Sequence, residues 1–261
     1  MPAIDKLDKI RAVWSGYDWS RAGDEWSDRW GGPAPQWYGS ILPRIAPHLP
    51  TRHVLEIAPG FGRMTQFLLP WCERYIGVDI TPECVEACRE RFGGASHASF
   101  VMNSGRDLNT VDDASVTFAF SFDSLVHAGQ DVIEGYASEL ARVLAPGAGA
   151  FIHHSNLAAC VGADRPQTTR SRHPSVSGQS AAEAFKNAGL HVVAQELITW
   201  DSDALLDCFT LVRRPAKVGE PAPPAALFEN RAFDEEASGV RRTALLYANP
   251  EPKPATRTPT P

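Results

Sequence analysis

Two clusters of histidine and carboxylate carry most of the reactive chemistry in this chain of 261 residues. The first is Ser121-Phe122-Asp123-Ser124-Leu125-Val126-His127, and the second is His153-His154-Ser155-Asn156. Each follows an apolar run that reads as a strand, Val116 to Phe120 and Gly149 to Ile152. Asp123 and His127 are four residues apart and share a face if a helix begins there. Histidine is the side chain best poised to accept a proton near neutral pH. A hydroxyl is a poor nucleophile at that pH unless a base takes its proton or a cation stabilises the alkoxide. Two roles compete for His153 and His154. Either they touch an acceptor as donors or bases, or one joins Asp123 around a divalent ion. Magnesium prefers harder ligands than imidazole, which weakens the second role.

The element that must position these groups is Val54 to Thr65, VLEIAPGFGRMT. Val54-Leu55-Glu56-Ile57 reads as a buried strand, and Ala58, Pro59, Gly60, Phe61 and Gly62 as a tight turn. Met64, Phe67, Leu68 and Leu69 then fall at helical spacing. Strand, glycine turn and helix open a nucleotide-binding α/β unit. Glycines let the backbone approach a ligand, and a helix N-terminus offers amide donors to a charged end. A dinucleotide fingerprint wants a third glycine where Thr65 stands. Instead there is an acid before the turn, Glu56, and a second acid, Asp79, ending the strand Tyr75 to Asp79. A carboxylate at a strand end accepts ribose hydroxyls, and Glu56 suits an ammonium group. S-adenosylmethionine has both features.

These residues resemble motifs I and II of the class I S-adenosylmethionine-dependent methyltransferases, with Ala58 where the family usually has glycine. The resemblance implies a Rossmann-like α/β fold: a mostly parallel sheet of about seven strands with helices on both faces. It covers Trp26 to Val212, including FSFDSLVHA and FIHHSN. The cofactor residues it implies are Glu56, Ala58, Gly60, Gly62, Arg63, Asp79, Ile80, Asn103, Ser104, Gly105, Ser121 and Phe122. WGGPAPQWYGSILPRIAPHLP is similar to the segment before motif I in bacterial sugar and polysaccharide O-methyltransferases. The mycobacterial enzymes of methylmannose polysaccharide synthesis are the nearest look-alikes. This likeness puts Trp30, Gln36, Trp37, Tyr38 and Arg44 beside the acceptor, with Trp200 as a further contact.

The expected reaction is methyl transfer to a sugar hydroxyl, in a mannoside or oligosaccharide precursor of a methylated polysaccharide, at its 1- or 3-hydroxyl. His127 is the expected base, and Asp123 orients it or binds Mg²⁺ with His153 or His154. The alternatives are a small-molecule O- or N-methyltransferase of a natural-product scaffold and a SAM-binding regulatory module without chemistry.

The remainder frames this domain. Residues 1–50 contain an amphipathic pattern, Leu7, Ile10, Val13 and Trp14, and the aromatic residues Tyr17, Trp19, Trp26, Trp30, Trp37 and Tyr38. They read as a helical lid over the cofactor or acceptor, or as a cap on a sheet edge. Residues 51–214 form the methyltransferase-like domain. Within it, the polar loop Leu157 to Ser180 carries Arg165, Arg170, Arg172 and His173, placed to meet hydroxyls or an anion. Residues 215–249 read as a proline/alanine linker and an appended helix, packing on the domain or on a second subunit as a homodimer. Residues 250–261 read as a disordered tail. A net charge of −6 gives no footprint for nucleic acid. There is no apolar run of transmembrane length and no signal-like start, so a cytoplasmic protein is expected. The five cysteines lack metal-type spacing and read as reduced thiols.

Overall fold

Val54 and Leu55 are adjacent and both fully buried, so the strand that carries them is covered on its two faces. A computed structural model of the chain describes residues 6–160 and 171–239. The strands are β1 (Thr51–Ile57), β2 (Cys72–Asp79), β3 (Ala98–Met102), β4 (Val116–Ser121), β5 (Leu144–Ser155), β6 (His191–Ile198), β7 (Asp207–Arg213) and β8 (Ala226–Asn230). They form one sheet in the order β3-β2-β1-β4-β5-β7-β6-β8. Strands β1 to β5 pair in parallel, while β7 runs antiparallel to both β5 and β6. The order reverses between β1 and β4, so a crevice opens beyond their carboxyl ends, where open α/β sheets bind ligands.

Leu55, Ile57, Ile76, Val78 and Ala119 face one core, closed by α3 (Gln130–Val143), α4 (Gly178–Asn187) and Leu7 of α1 (Lys6–Ser15). Val54, Phe118, Phe120 and Phe151 face the other, closed by α2 (Pro82–Phe92) and the helical turns Pro33–Gln36, Trp37–Ile41 and Leu42–Ile45. Helix α4 starts on a capping box, with Ser177 Oγ accepting from Ser180 N and Ser180 Oγ accepting from Ser177 N.

The fold departs from the expectations in three places. The sheet has eight strands rather than about seven. The eighth lies in the segment read as linker and helix: Ala226–Asn230 pairs in parallel with β6. Without this strand β6 would leave a row of unpaired backbone groups. Leu227 and Phe228 remain exposed, whereas Phe233 is fully buried. Val240, Ala244, Leu245 and the tail lie outside the described residues, as do Arg165 and Arg170. Second, the helix after the glycine turn is one turn, Thr65–Leu68, followed by Leu69–Trp71. Pro70 interrupts it, so little helix dipole builds up there. Third, no α-helix begins at Asp123. A short 3₁₀ turn spans Leu125–His127, and Asp123 has φ +59°.

Candidate active site

The crevice holds two adjoining cavities. The first encloses about 930 Å³, its open mouth included, and lies over the turn between β1 and Thr65. Its floor is Glu56, Ala58 and Gly60, and its sides are Asp79, Ile80, Asn103 and Gly105. Leu7, Ile10, Trp14, Trp19 and Trp26 roof it. The second is lined by Tyr17, Glu25, Asp28, Arg29, Ser171, Arg172, Trp200 and Asp201. Trp14, Trp26, Asp123 and His127 line both cavities and form the wall between them.

The glycine turn is fixed by the end of the next strand. Asp79 Oδ2 accepts from Gly60 N at 3.1 Å, and Oδ1 accepts from Thr81 N at 2.9 Å. Each oxygen keeps a lone pair for a further donor. Burial pushes the Asp79 carboxyl up to about 6 against the amides that lower it. Glu56 is buried beneath the turn, and Oε2 accepts from Thr65 Oγ1 at 2.7 Å and from the Tyr75 hydroxyl. Burial lifts Glu56 to about 7, with those two hydroxyls pulling the other way. Ala58 adopts φ +58°, a left-handed conformation that glycine would take without strain. A Cβ on Gly60 would come within 3.2 Å of the Trp19 ring. Trp19 stacks on Phe61, with centroids 4.5 Å apart and planes 3° apart, so the aromatic roof rests directly on the turn. Asn103 Nδ2 donates to Tyr136 Oη at 2.9 Å, and its Oδ1 accepts from Gly105 N.

At the dividing wall, Arg63 Nη2 donates to Asp123 Oδ2 at 2.7 Å, while its Nη1 reaches Ser27 Oγ and Gln36 Oε1. The Arg63 guanidinium lies over the Trp26 and Phe122 rings. His127 Nδ1 is 2.8 Å from the carbonyl oxygen of Ser171. A carbonyl only accepts, so Nδ1 carries the proton and Nε2 carries the lone pair. Burial holds the His127 pKa below the ordinary histidine value, which keeps the ring neutral. A neutral imidazole with a free Nε2 lone pair is a proton acceptor.

The predicted residues divide between the cavities and their surroundings. Glu56, Ala58, Gly60, Arg63, Asp79, Ile80, Asn103, Gly105, Phe122, Asp123 and His127 line the first cavity, and Trp200 lines the second. Gly62 does not line either; its place is set by φ +82° and by the Phe92 ring beside it. Ser104 is exposed and its hydroxyl is taken by Asp107. Ser121 is buried and donates to Ile57 O at 3.0 Å. His153 and His154 are both fully buried. His154 binds Ser155 O and Thr210 Oγ1 through its two nitrogens, and burial pushes it down to about 4, so neither nitrogen is available to an acceptor.

The residues expected beside the acceptor from the segment before β1 are mostly structural. Trp30 packs against Trp200 and Phe233, and Trp37 against Phe67 and Phe120, both fully buried in the core. Gln36 sits behind Arg63 as its hydrogen-bond acceptor. Tyr38 is exposed and lines neither cavity. Arg44 is held between Glu196 and Glu236, under the Phe209 and Phe233 rings. His173 bonds Ser175 and places its backbone against Val126 and Ser155, outside both cavities. The expected Mg²⁺ set is not assembled. Asp123 faces Arg63 and Arg172, whose charges repel a cation, while His153 and His154 point elsewhere. Among the described residues no group of three or more His, Cys, Asp or Glu is placed to hold a metal.

The aromatic residues of the expected lid divide: Trp14, Trp19 and Trp26 line the first cavity, whereas Trp30 and Trp37 are core, a distinction that the density of the segment does not make. Glu25, Asp28, Ser124 and Asp201 carried no spacing signal.

Comparison with known proteins bears on the fold. Residues 54–147 match the family model described as a methyltransferase domain. The methyltransferase solved with the Haloferax volcanii Trm112 methyltransferase activator superposes with a TM-score of 0.57 at 20% identity, over 82% of this chain and 99% of that one. The fold is that of the class I methyltransferases. Among curated proteins, Nodulation protein S of Bradyrhizobium diazoefficiens is 34% identical over 99 residues, 35% of this chain and 44% of that protein. The rRNA adenine N-6-methyltransferase of Streptomyces fradiae is 36% identical over 62 residues, 24% of this chain and 19% of that protein. The matches thus span less than half the length of these relatives. The family-model match, residues 54–147, takes in Glu56, Gly60 and Asp79. No helix among the described residues is long and apolar enough to cross a membrane.

Proposed function

We propose that this protein transfers the methyl group of S-adenosylmethionine to a hydroxyl of a sugar, with His127 as general base. The observation that carries the reading is the His127 ring in the wall shared by the two cavities, with Nδ1 committed to Ser171 and Nε2 left as acceptor. The first cavity fits the cofactor by its own chemistry. Asp79 retains lone pairs for ribose hydroxyls, and Glu56 is a carboxylate lifted by burial that a nearby ammonium would restore. Asn103 and Gly105 border the far end. When bound, S-adenosylmethionine supplies an electrophilic methyl on a sulfonium that needs no acid to leave. The chain's own residues therefore have to align the acceptor and take its proton.

The second cavity supports a sugar. Tyr17, Trp14, Trp26 and Trp200 offer flat rings to its apolar faces. Glu25, Asp28 and Asp201 offer acceptors, and Arg29 and Arg172 offer donors, the mixed set that a polyol needs. A mannoside or short oligosaccharide methylated at its 1- or 3-hydroxyl is the acceptor we favour. A second reading, transfer to nitrogen in a small molecule, draws on the fold shared with the N-methyltransferase NodS of Bradyrhizobium japonicum. A regulatory module without chemistry would have no use for a neutral, accessible His127.

The experiment is transfer of labelled methyl from S-adenosylmethionine to a panel of mannosides, glucosides, short oligosaccharides and amines. Label in a sugar supports the proposal. Label confined to amines moves the assignment to nitrogen, and cofactor binding without label in any acceptor removes the sugar reading.

A further inference from the structure

His153 faces neither cavity, and its lone pair is already spent. Its Nδ1 is 3.0 Å from the backbone N of Asp123, and a backbone amide only donates. Nδ1 is therefore the acceptor and the ring proton sits on Nε2. That nitrogen lies 3.4 Å from Asp207 Oδ2, too poorly directed for a hydrogen bond but close enough for attraction. Asp207 is fully buried and is held by Arg172, with Nε at 2.8 Å and Nη2 at 2.6 Å. Burial opposes its charge, but the Arg172 guanidinium wins and keeps it ionised far below the usual carboxylate range. The imidazole is fixed in orientation as well: it stacks on Trp200 with planes 13° apart and meets Phe209 edge-on at 4.8 Å.

What this chain of contacts holds is an unusual backbone. Asp123 has φ +59°, a left-handed conformation that is uncommon outside glycine and that Asp tolerates better than most side chains. Here the His153 bond fixes the amide and Arg63 fixes Oδ2. Asp123 Oδ1 accepts no hydrogen bond from the described residues, with Arg172 standing 4.0 Å away, and Asp123 lines both cavities beside His127.

We infer that Asp207, His153 and the Asp123 amide form a buried positioning chain that presents Asp123 Oδ1 to a second hydroxyl of the acceptor, next to the one that His127 deprotonates. His153 is then a positioning residue, and Asp123 is the group that binds substrate. The acceptor class is a sugar or polyol with neighbouring free hydroxyls. The inference rests on the sugar reading given above.

The test compares His153→Asn with His153→Gln in the full chain, using the sugar that the labelling panel identifies. The Asn Oδ1 stands near the position of the imidazole Nδ1 and keeps an acceptor for the Asp123 amide. Gln keeps more of the ring's volume but reaches toward Asp207 instead. We expect H153Q to raise the acceptor KM by about tenfold or more with cofactor affinity unchanged, and H153N to stay within about threefold. The reverse order would show a packing role, and an equal loss of kcat in both, with KM unchanged, would show proton chemistry at the ring. Either result overturns the inference while leaving the sugar reading intact. The imidazole ¹⁵N spectrum provides a readout without turnover. The ring should show the Nε2–H tautomer, as the Asp123 amide requires of Nδ1, and the Nδ1–H tautomer overturns the chain. No label in any sugar would instead be the failure of the underlying reading, and would remove the second-hydroxyl assignment with it.

Discussion

The imidazole of His127 packs on the indole of Trp14, with ring centroids 5.3 Å apart. Trp14 also meets Tyr17, Trp19 and Trp26 at 5.5 to 6.0 Å, so the rings that roof the glycine turn also brace the proposed base. Roof and base are mechanically one unit. Trp14→Ala should therefore lower kcat/KM for the acceptor by about 10- to 100-fold, since a base must sit within hydrogen-bond reach of its proton. Cofactor affinity should fall less, because the polar groups of the first cavity, Asp79 and Asn103, are untouched. Steady-state kinetics alongside calorimetric cofactor binding would check this. A variant that lost only cofactor affinity would show that Trp14 is a roof and nothing more.

His127→Ala should reduce kcat by about 10²- to 10⁴-fold, the usual span for a general base, with cofactor binding retained. The wild-type pH profile carries a second signature. The active form is the neutral ring, and burial depresses its pKa. The acid limb of kcat/KM should thus lie below the ordinary histidine value, and activity should persist as pH falls through about 6.5. An acid limb at or above that value would point to a different base.

How much of this was legible in the sequence depends on the kind of signal. The strand, turn and second acid around Glu56, Gly60 and Asp79 were readable because each is a local requirement: a buried run, a left-handed turn, a strand-end carboxylate. His127 and Asp123 were readable as chemistry but not as geometry, since the Asp123 backbone is left-handed and its amide donates to His153, a contact across 30 residues. His153 and His154 looked alike on paper. Alternation along β5 and the partners each meets in β7 sent both into the interior, and only tertiary contacts show that. The aromatic segment gave the composition of a roof without its register. Trp30 and Trp37 resemble Trp14, Trp19 and Trp26 in type, and the difference lies in the tertiary contacts of each ring. β8 was hidden by the prolines before it and by its exposed Leu227 and Phe228, which mimic a helix pattern.

Glu56 should be a site where stability is given up for ligand binding. Its folded value is about 7 against an unfolded value of about 4.5. Between these values the native state binds a proton that the unfolded state does not, so stability falls as pH rises through the window. Above it the deficit is complete, on the order of 3 kcal/mol from the size of the shift. Glu56→Gln keeps an oxygen for the Thr65 and Tyr75 hydroxyls and removes the buried charge. Its midpoint of thermal unfolding should exceed wild type at about pH 8, and the gap should close toward about pH 4.5. Its cofactor affinity should fall. An equal gap at both pH values would show that Glu56 does not titrate in this range.

The glycine turn allows an opposed pair of substitutions. Ala58 holds φ +58°, where an alanine costs about 1–2 kcal/mol relative to the right-handed helical region. Ala58→Gly should recover about 1 kcal/mol, less the packing of the lost methyl and the added chain entropy, and raise the midpoint by about 2–4 °C. Gly62→Ala should do the opposite. It has φ +82°, and its new Cβ would stand 2.3 Å from the Phe92 ring, which stacks on Phe100 and has little room to retreat. Strain and overpacking together should cost about 2–4 kcal/mol. Phe92→Leu in that background should restore only the steric part, because the backbone strain is local to residue 62. Thermal unfolding of the three variants measures each contribution. Full rescue by Phe92→Leu would mean that the ring alone, and not the left-handed turn, demands glycine there.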